Sequence, residues 1–244
     1  MSISYFRPRR PGPELRIEDA VVAQLDALFG ERVCHWWLGA SVPIGAGRPD
    51  FVAVSYEQRL SALANIQTNG LLLAYLRGVR EARLKTIVSR LGQPCRNIER
   101  ELSALRDIDA VWEREPGIYS ISPSWRGVLR GIVAIEAKVG DWKRAVQQAA
   151  RNRIFANKSY VALPCKTAER VATSPMFQEL GIGIISVDEG GSAKIISMAT
   201  PQATRVWLYY FRLASLVAQE SPKQQWPTLS QSTMPANNFL ASTL

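Results

Sequence analysis

The sequence predicts an α/β fold: a mixed central sheet flanked by helices, interrupted by an inserted helical module that ends in a hairpin. Two observations lead there. Between residues 131 and 188, strand-like and helix-like patterns alternate, the order of parallel strands joined by right-handed crossovers. Residues 57–126 instead run helix, helix, helix, hairpin. With 47% hydrophobic residues in 244, the chain fills a sizeable core, as one medium domain or two small ones.

The elements follow in order. Residues 1–14 are rich in Pro and Arg and read as irregular, with Arg7, Arg9 and Arg10 as a basic arm or a tail. Ile17, Val21, Val22, Leu25, Leu28 and Phe29 have helical spacing, and Gly30 suits a stop. RVCHWWLGASVPIGAGRPDFVAVS is β-branched, aromatic and broken by glycines, which predicts two strands and a turn. A helical stretch ending in LLLAYLRGV leads into RLKTIVSRLG and then QPCRNIERELSALRD, where Pro94 suits a first turn. DAVWEREPGIYSIS reads as two short strands around a Glu-Pro-Gly turn.

GIVAIEAKV is a strand, DWKRAVQQAARNRIFAN a helix, KSYVALP a strand, AERVATSPMFQEL a short helix and GIGIISVD a strand. TRVWLYYFRLASLVA reads as a helix packed on the sheet, and residues 221–244 as a disordered polar tail. There is no internal repeat.

Composition narrows the function. The net charge of +9 favours a polyanionic partner. Cys34, Cys95 and Cys165 are far apart and form no CxxC pair, so a disulfide framework and a zinc knuckle are not expected and a reducing cytoplasm fits. No signal peptide or apolar run of membrane-spanning length is seen. His35 is the only histidine, which argues against His-metal nucleases, zinc hydrolases and Ser-His-Asp hydrolases. Its setting, VCHWWL, suggests a packed strand residue.

Chemistry therefore falls to carboxylates and lysine. Glu136 and Lys138 are two apart on one strand, so they share a face, with Ile135, Ala137 and Val139 on the other. Central parallel strands are normally apolar on both faces. Two charges there need a partner or a metal. A half-buried salt bridge is the structural alternative.

Pro49-Asp50 and Glu136-Ala137-Lys138, each on its own strand and set among a helix, a strand, a helix and a strand in fixed order, resemble the PD-(D/E)XK nuclease superfamily. The resemblance covers about residues 14–56 and 127–198 and implies a restriction-endonuclease-like core. It implies Asp50 and Glu136 as ligands of magnesium, with manganese as a substitute, and Lys138 as the catalytic lysine. It also implies a glutamine from the next helix, Gln148 with Gln147 as the fallback, and a weaker first-helix acid, Glu18. The long separation of Asp50 from Glu136 departs from the family pattern and leaves Asp107 and Asp109 as competitors.

Residues 65–125 resemble a winged helix in element order. That resemblance implies a DNA-reading third helix offering Gln93, Arg96, Asn97 and Arg100, with Arg114 on the wing. Glu99, Glu101, Glu113 and Glu115 dilute its positive field, so docking to a protein is the rival use. The expected organisation is a discontinuous nuclease core, 1–58 and 127–220, around an inserted winged-helix module, 59–126. The expected function is a magnesium-dependent deoxyribonuclease. The rivals are a catalytically silent DNA-binding regulator and an interaction subunit.

Overall fold

The computed structural model describes residues 3–9, 11–29, 35–45 and 47–221. In chain order, β1 (Ser4–Tyr5) precedes α1 (Glu14–Ala23) and α2 (Leu25–Phe29), then β2 (His35–Ala40) and β3 (Phe51–Tyr56). A 3-10 segment, Gln58–Asn65, leads to α3 (Leu71–Gly78), β4 (Ala82–Arg83), α4 (Leu84–Leu91), α5 (Cys95–Asp107), β5 (Val111–Glu115) and β6 (Ile118–Ile121). Next come β7 (Leu129–Ala137), α6 (Trp142–Asn152), β8 (Lys158–Pro164), α7 (Cys165–Val171), α8 (Pro175–Leu180), β9 (Gly183–Val187), β10 (Ala193–Ser197) and α9 (Trp207–Glu220).

The fold is α/β with a mixed seven-stranded sheet, ordered β1-β2-β3-β7-β8-β9-β10 and flanked by helices. β7, β8 and β9 are mutually parallel, while β2, β3 and β7 are antiparallel neighbours. On one face, Ile17, Val21 and Leu25 pack against Phe51, Ile135, Tyr160 and Ile185. On the other, Val146 and Ala149 of α6 cover Val161 and Ile184, and α9 lies over Trp37, Val52 and Ala134. β4, β6 and β5 form a separate three-stranded antiparallel sheet. No helix among the described residues is long and apolar enough to cross a membrane.

Several local expectations change. The helix expected over Ile17–Phe29 breaks at Gln24, whose φ of −117° and ψ of 15° are not helical. There its side chain donates to the Gly191 carbonyl (3.1 Å) and accepts from the Ala193 amide (3.1 Å). The break thus anchors the first helical pair to the β9–β10 turn. The single helix expected over 168–180 is two helices, α7 and α8, and the edge strand β10 was not foreseen. Before α3 the expected helix is only a 3-10 segment. Gly70 leads into α3 at φ +77°, and a Cβ there would stand 2.6 Å from the Phe211 carbonyl carbon. This close backbone approach seats α3 on α9 and excludes any other residue.

His35 lies on β2 as expected but is exposed rather than packed, at the strand's outer end, with its ring stacked on Tyr56 at 5.7 Å. Cys95 and Cys165 are free thiols, whereas Cys34, Arg10 and the tail from 222 lie outside the described residues.

One apolar cluster crosses the expected boundary at residue 59. Leu60, Leu63, Leu72 and Leu76 join Phe211, Ala214 and Val217 of α9, and the same cluster continues to Ile87, Ile98, Leu102 and Leu105. Each such side chain contributes about 1.5–3 kcal/mol on burial. Segment 59–126 therefore shares its core with the large sheet instead of enclosing a separate one.

Candidate active site

Strand register builds the site. Phe51 pairs with Ile135 and Val52 with Ala134. Carried one residue further, this antiparallel register sets Asp50 opposite Glu136, and residues directly opposite share a face. Lys138 follows β7, and its amide still donates to the Ala162 carbonyl at 3.0 Å, so the chain stays aligned with β8. The loop carrying Asp50 is closed by the Ser41 amide on the Asp50 carbonyl (3.0 Å).

Each charged group has a protein partner. Asp50 Oδ2 accepts from the Ala137 amide at 2.8 Å. Glu136, only 2% exposed, accepts from Asn152 Nδ2 at 2.7 Å. Lys138 Nζ donates to Glu14 Oε1 at 2.7 Å. Burial pushes the Glu136 carboxyl up to about 8, and the Asp50 charge adds to this, against the opposing pull of Asn152, Lys138 and Arg151. Asp50 is raised too, by burial and by Glu14, with the Ala137 amide and Lys138 opposing. Burial lowers Lys138, but the bond to Glu14 and the charges of Glu14, Asp50 and Glu136 outweigh it and hold the amine above its usual value. Two adjacent carboxyls both held above their ordinary range, Glu136 partly by the Asp50 charge, are short of positive charge.

Asp50, Glu136 and Lys138 are thus brought together. Glu18 lies at the rim, its carboxyl raised by burial and the Asp50 charge, and accepts from Arg9 at 3.4 Å. Arg9, expected in a basic arm, also pairs with Asp19 at 2.7 Å. Gln147 is exposed. Gln148 is half-buried, and its buried Oε1 has no hydrogen-bond partner among the described residues. Asp107 ends α5, and Asp109 accepts from Trp112 Nε1; both belong to the small sheet's module.

Two residues escaped the sequence reading, Glu14 and Asn152. Helical spacing was the available signal. Glu14 is four before Glu18, and Asn152 is four after Gln148, so each shares a helix face with a residue already singled out. Asn152 also faces the loop before Asp50, since a Cβ on Gly47 would lie 3.9 Å from its Oδ1.

In the module, Ile98, Leu102 and Leu105 are buried, which turns Arg96, Asn97 and Arg100 outward, all exposed. Arg114 is exposed on β5, its guanidinium 4.2 Å from the Trp112 ring centroid and its Nε 3.2 Å from Ser120 Oγ. Two of the diluting acids are engaged elsewhere: Glu101 accepts from Thr68, and Glu113 holds Arg106 at 2.7 Å.

Among the described residues, no group of three or more His, Cys, Asp or Glu side chains could hold a metal ion. Comparison with known protein families, with curated proteins and with solved structures returns no match.

Proposed function

We propose that the chain is a metal-dependent DNA nuclease with a restriction-endonuclease-like core and a winged-helix module. The observation that carries this reading is the opposed pair Asp50 and Glu136, both raised in proton affinity and Glu136 partly by the Asp50 charge, beside a lysine. A divalent cation would relieve that repulsion. Two carboxylates suffice for magnesium, which keeps several waters and is commonly held by one or two carboxylates plus substrate phosphates. Asp50 and Glu136 would hold the ion, which when bound polarises a phosphodiester and makes a bound water more acidic. Lys138 supplies positive charge where the phosphate oxygens gain negative charge. Glu14 holds that amine in place, and Asn152 orients the Glu136 carboxylate. The module's order α3-β4-α4-α5-β5-β6, with β4 pairing β6, supports a winged helix whose α5 presents Arg96, Asn97 and Arg100 to DNA.

A second reading has its own support. Asp50, Glu136 and Lys138 are all satisfied within the protein, which suits a DNA-binding regulator without catalysis. Incubating the protein with supercoiled and linear DNA in Mg²⁺, Mn²⁺ or EDTA separates the two. Cleavage that EDTA stops supports the nuclease, and binding without cleavage in either metal supports the regulator.

A further inference from the structure

We infer that a concavity lined by Arg80, Arg114 and Arg126 is a binding site for polynucleotide backbone phosphates. This deepens the nucleic-acid reading proposed above and rests on it. The three arginines come from three elements: the turn after α3, strand β5, and the turn before β7. They line one open concavity of about 570 Å³ in which Glu81 is the only acid among the described residues. Arg80, Arg114 and Arg126 are all exposed, and none pairs with a carboxylate among the described residues.

Arg114 is held ready for an anion. The Trp112 ring packs against its guanidinium, and Ser120 Oγ takes its Nε–H. The terminal fork, the part that grips phosphate in bidentate fashion, stays open. Arg77 adds positive charge nearby, its Nε donating to the Arg126 carbonyl at 3.4 Å while its guanidinium lies 4.1 Å from the Trp207 ring centroid. Glu57, an acid just past the end of β3, is already engaged by Arg59 and Arg130 at 2.6 Å each.

Small-molecule pockets are mostly apolar and enclosing. This one is open and cationic, and it suits a chain of phosphates. It is also distinct from the α5 surface. Glu113 faces α5, where it pairs with Arg106. Trp112, Arg114 and Ser120 meet on the opposite face of that sheet.

The test is fluorescence anisotropy of labelled duplex and single-stranded DNA across a salt series. It compares the parent with Arg80→Ala/Arg114→Ala/Arg126→Ala, with Arg80→Ala/Arg126→Ala, and with Arg96→Ala/Arg100→Ala. Melting temperatures monitor folding, and the double Arg80/Arg126 variant removes only exposed side chains. The triple variant should lose affinity about tenfold or more, and its log–log salt slope should fall by about 0.7–0.9 for each phosphate no longer neutralised. Arg114→Lys, which keeps charge but not the fork, should fall between parent and triple variant. Unchanged affinity and slope in the folded triple and Arg80/Arg126 variants overturn the inference, even if the parent binds and cuts DNA. A parent that binds through these arginines but never cuts keeps the site and removes the nuclease. A parent that binds no polynucleotide overturns both.

Discussion

The Asp50 carboxylate accepts the Ala137 amide hydrogen at 2.8 Å, gripping the one residue that separates Glu136 from Lys138. Asp50 is therefore both a charge beside Glu136 and a clamp on the strand that bears it. Asp50→Asn separates these roles, since a carboxamide oxygen still accepts the hydrogen bond but carries no charge. We expect the variant to fold, to lose cleavage, and to show Glu136 titrating nearer the ordinary carboxylate range. Carbon-detected NMR of Glu136 checks this. A Glu136 titration unmoved by the substitution would show that burial alone raises it.

Stability should depend on pH through the same pair. The Glu136 carboxyl is raised from an ordinary 4.5 to about 8 by burial and then by Asp50. The native state therefore binds more protons than the unfolded chain between those values, and stability falls as pH rises through that window. Glu136→Gln, neutral at every pH, should flatten the fall and melt higher than the parent above about pH 8. Thermal melts from pH 5 to 9 without added metal measure this, and identical pH profiles would contradict it.

Lys138→Ala should stop cleavage while leaving DNA affinity within a few-fold. One interaction with charge that develops in the transition state is typically worth about 3–4 kcal/mol, or 10²–10³ in rate. Ground-state affinity rests on many dispersed phosphate contacts. Its ion pair with Glu14 is partly exposed, at 25% and 40% for the two side chains, so its loss should change stability by no more than about 1 kcal/mol. A variant that cuts as fast as the parent would remove β7 as the active strand.

The shared core sets a limit on dissection. Leu73 is fully buried in the cluster that joins α3 to α9, so Leu73→Ala should cost about 2–5 kcal/mol. Gly70→Ala should be at least as damaging for its size, because it meets both a positive φ and the Phe211 backbone. Deleting residues 59–126 with a short linker would bare the α9 face and should leave an aggregation-prone core. Chemical denaturation should also give one transition for the intact chain, not two.

Strand pairing and crossover order were legible because β7, β8 and β9 are continuous apolar runs bounded by turns. Glu136 stood out because its charge breaks the β7 run, although the expected strand ran on through Lys138, which lies just past its end. Gln24 was not legible as a break, since its hydrogen bonds are to residues 191 and 193 and nothing local marks them. Glu14 and Asn152 were missed for a similar reason. Their partners, Lys138 and Glu136, are supplied by the tertiary fold; helical spacing puts Glu14 with Glu18 and Asn152 with Gln148 on one face, but does not say what that face will meet. The separateness of segment 59–126 was overestimated because helical spacing reports an apolar face but not the element that covers it.

β7 joins the turn bearing Arg126 to the acid pair. Its nine residues span about 30 Å at the usual rise per residue. Strand β7 would then be, under the proposed function, a built-in yardstick between grip and cut. One DNA strand advances about 3.4 Å per nucleotide, so the span equals roughly nine nucleotides. Under the proposed function, a shorter oligonucleotide reaches one end of the yardstick but not both. Cleavage across a length series should then rise in a step and not smoothly.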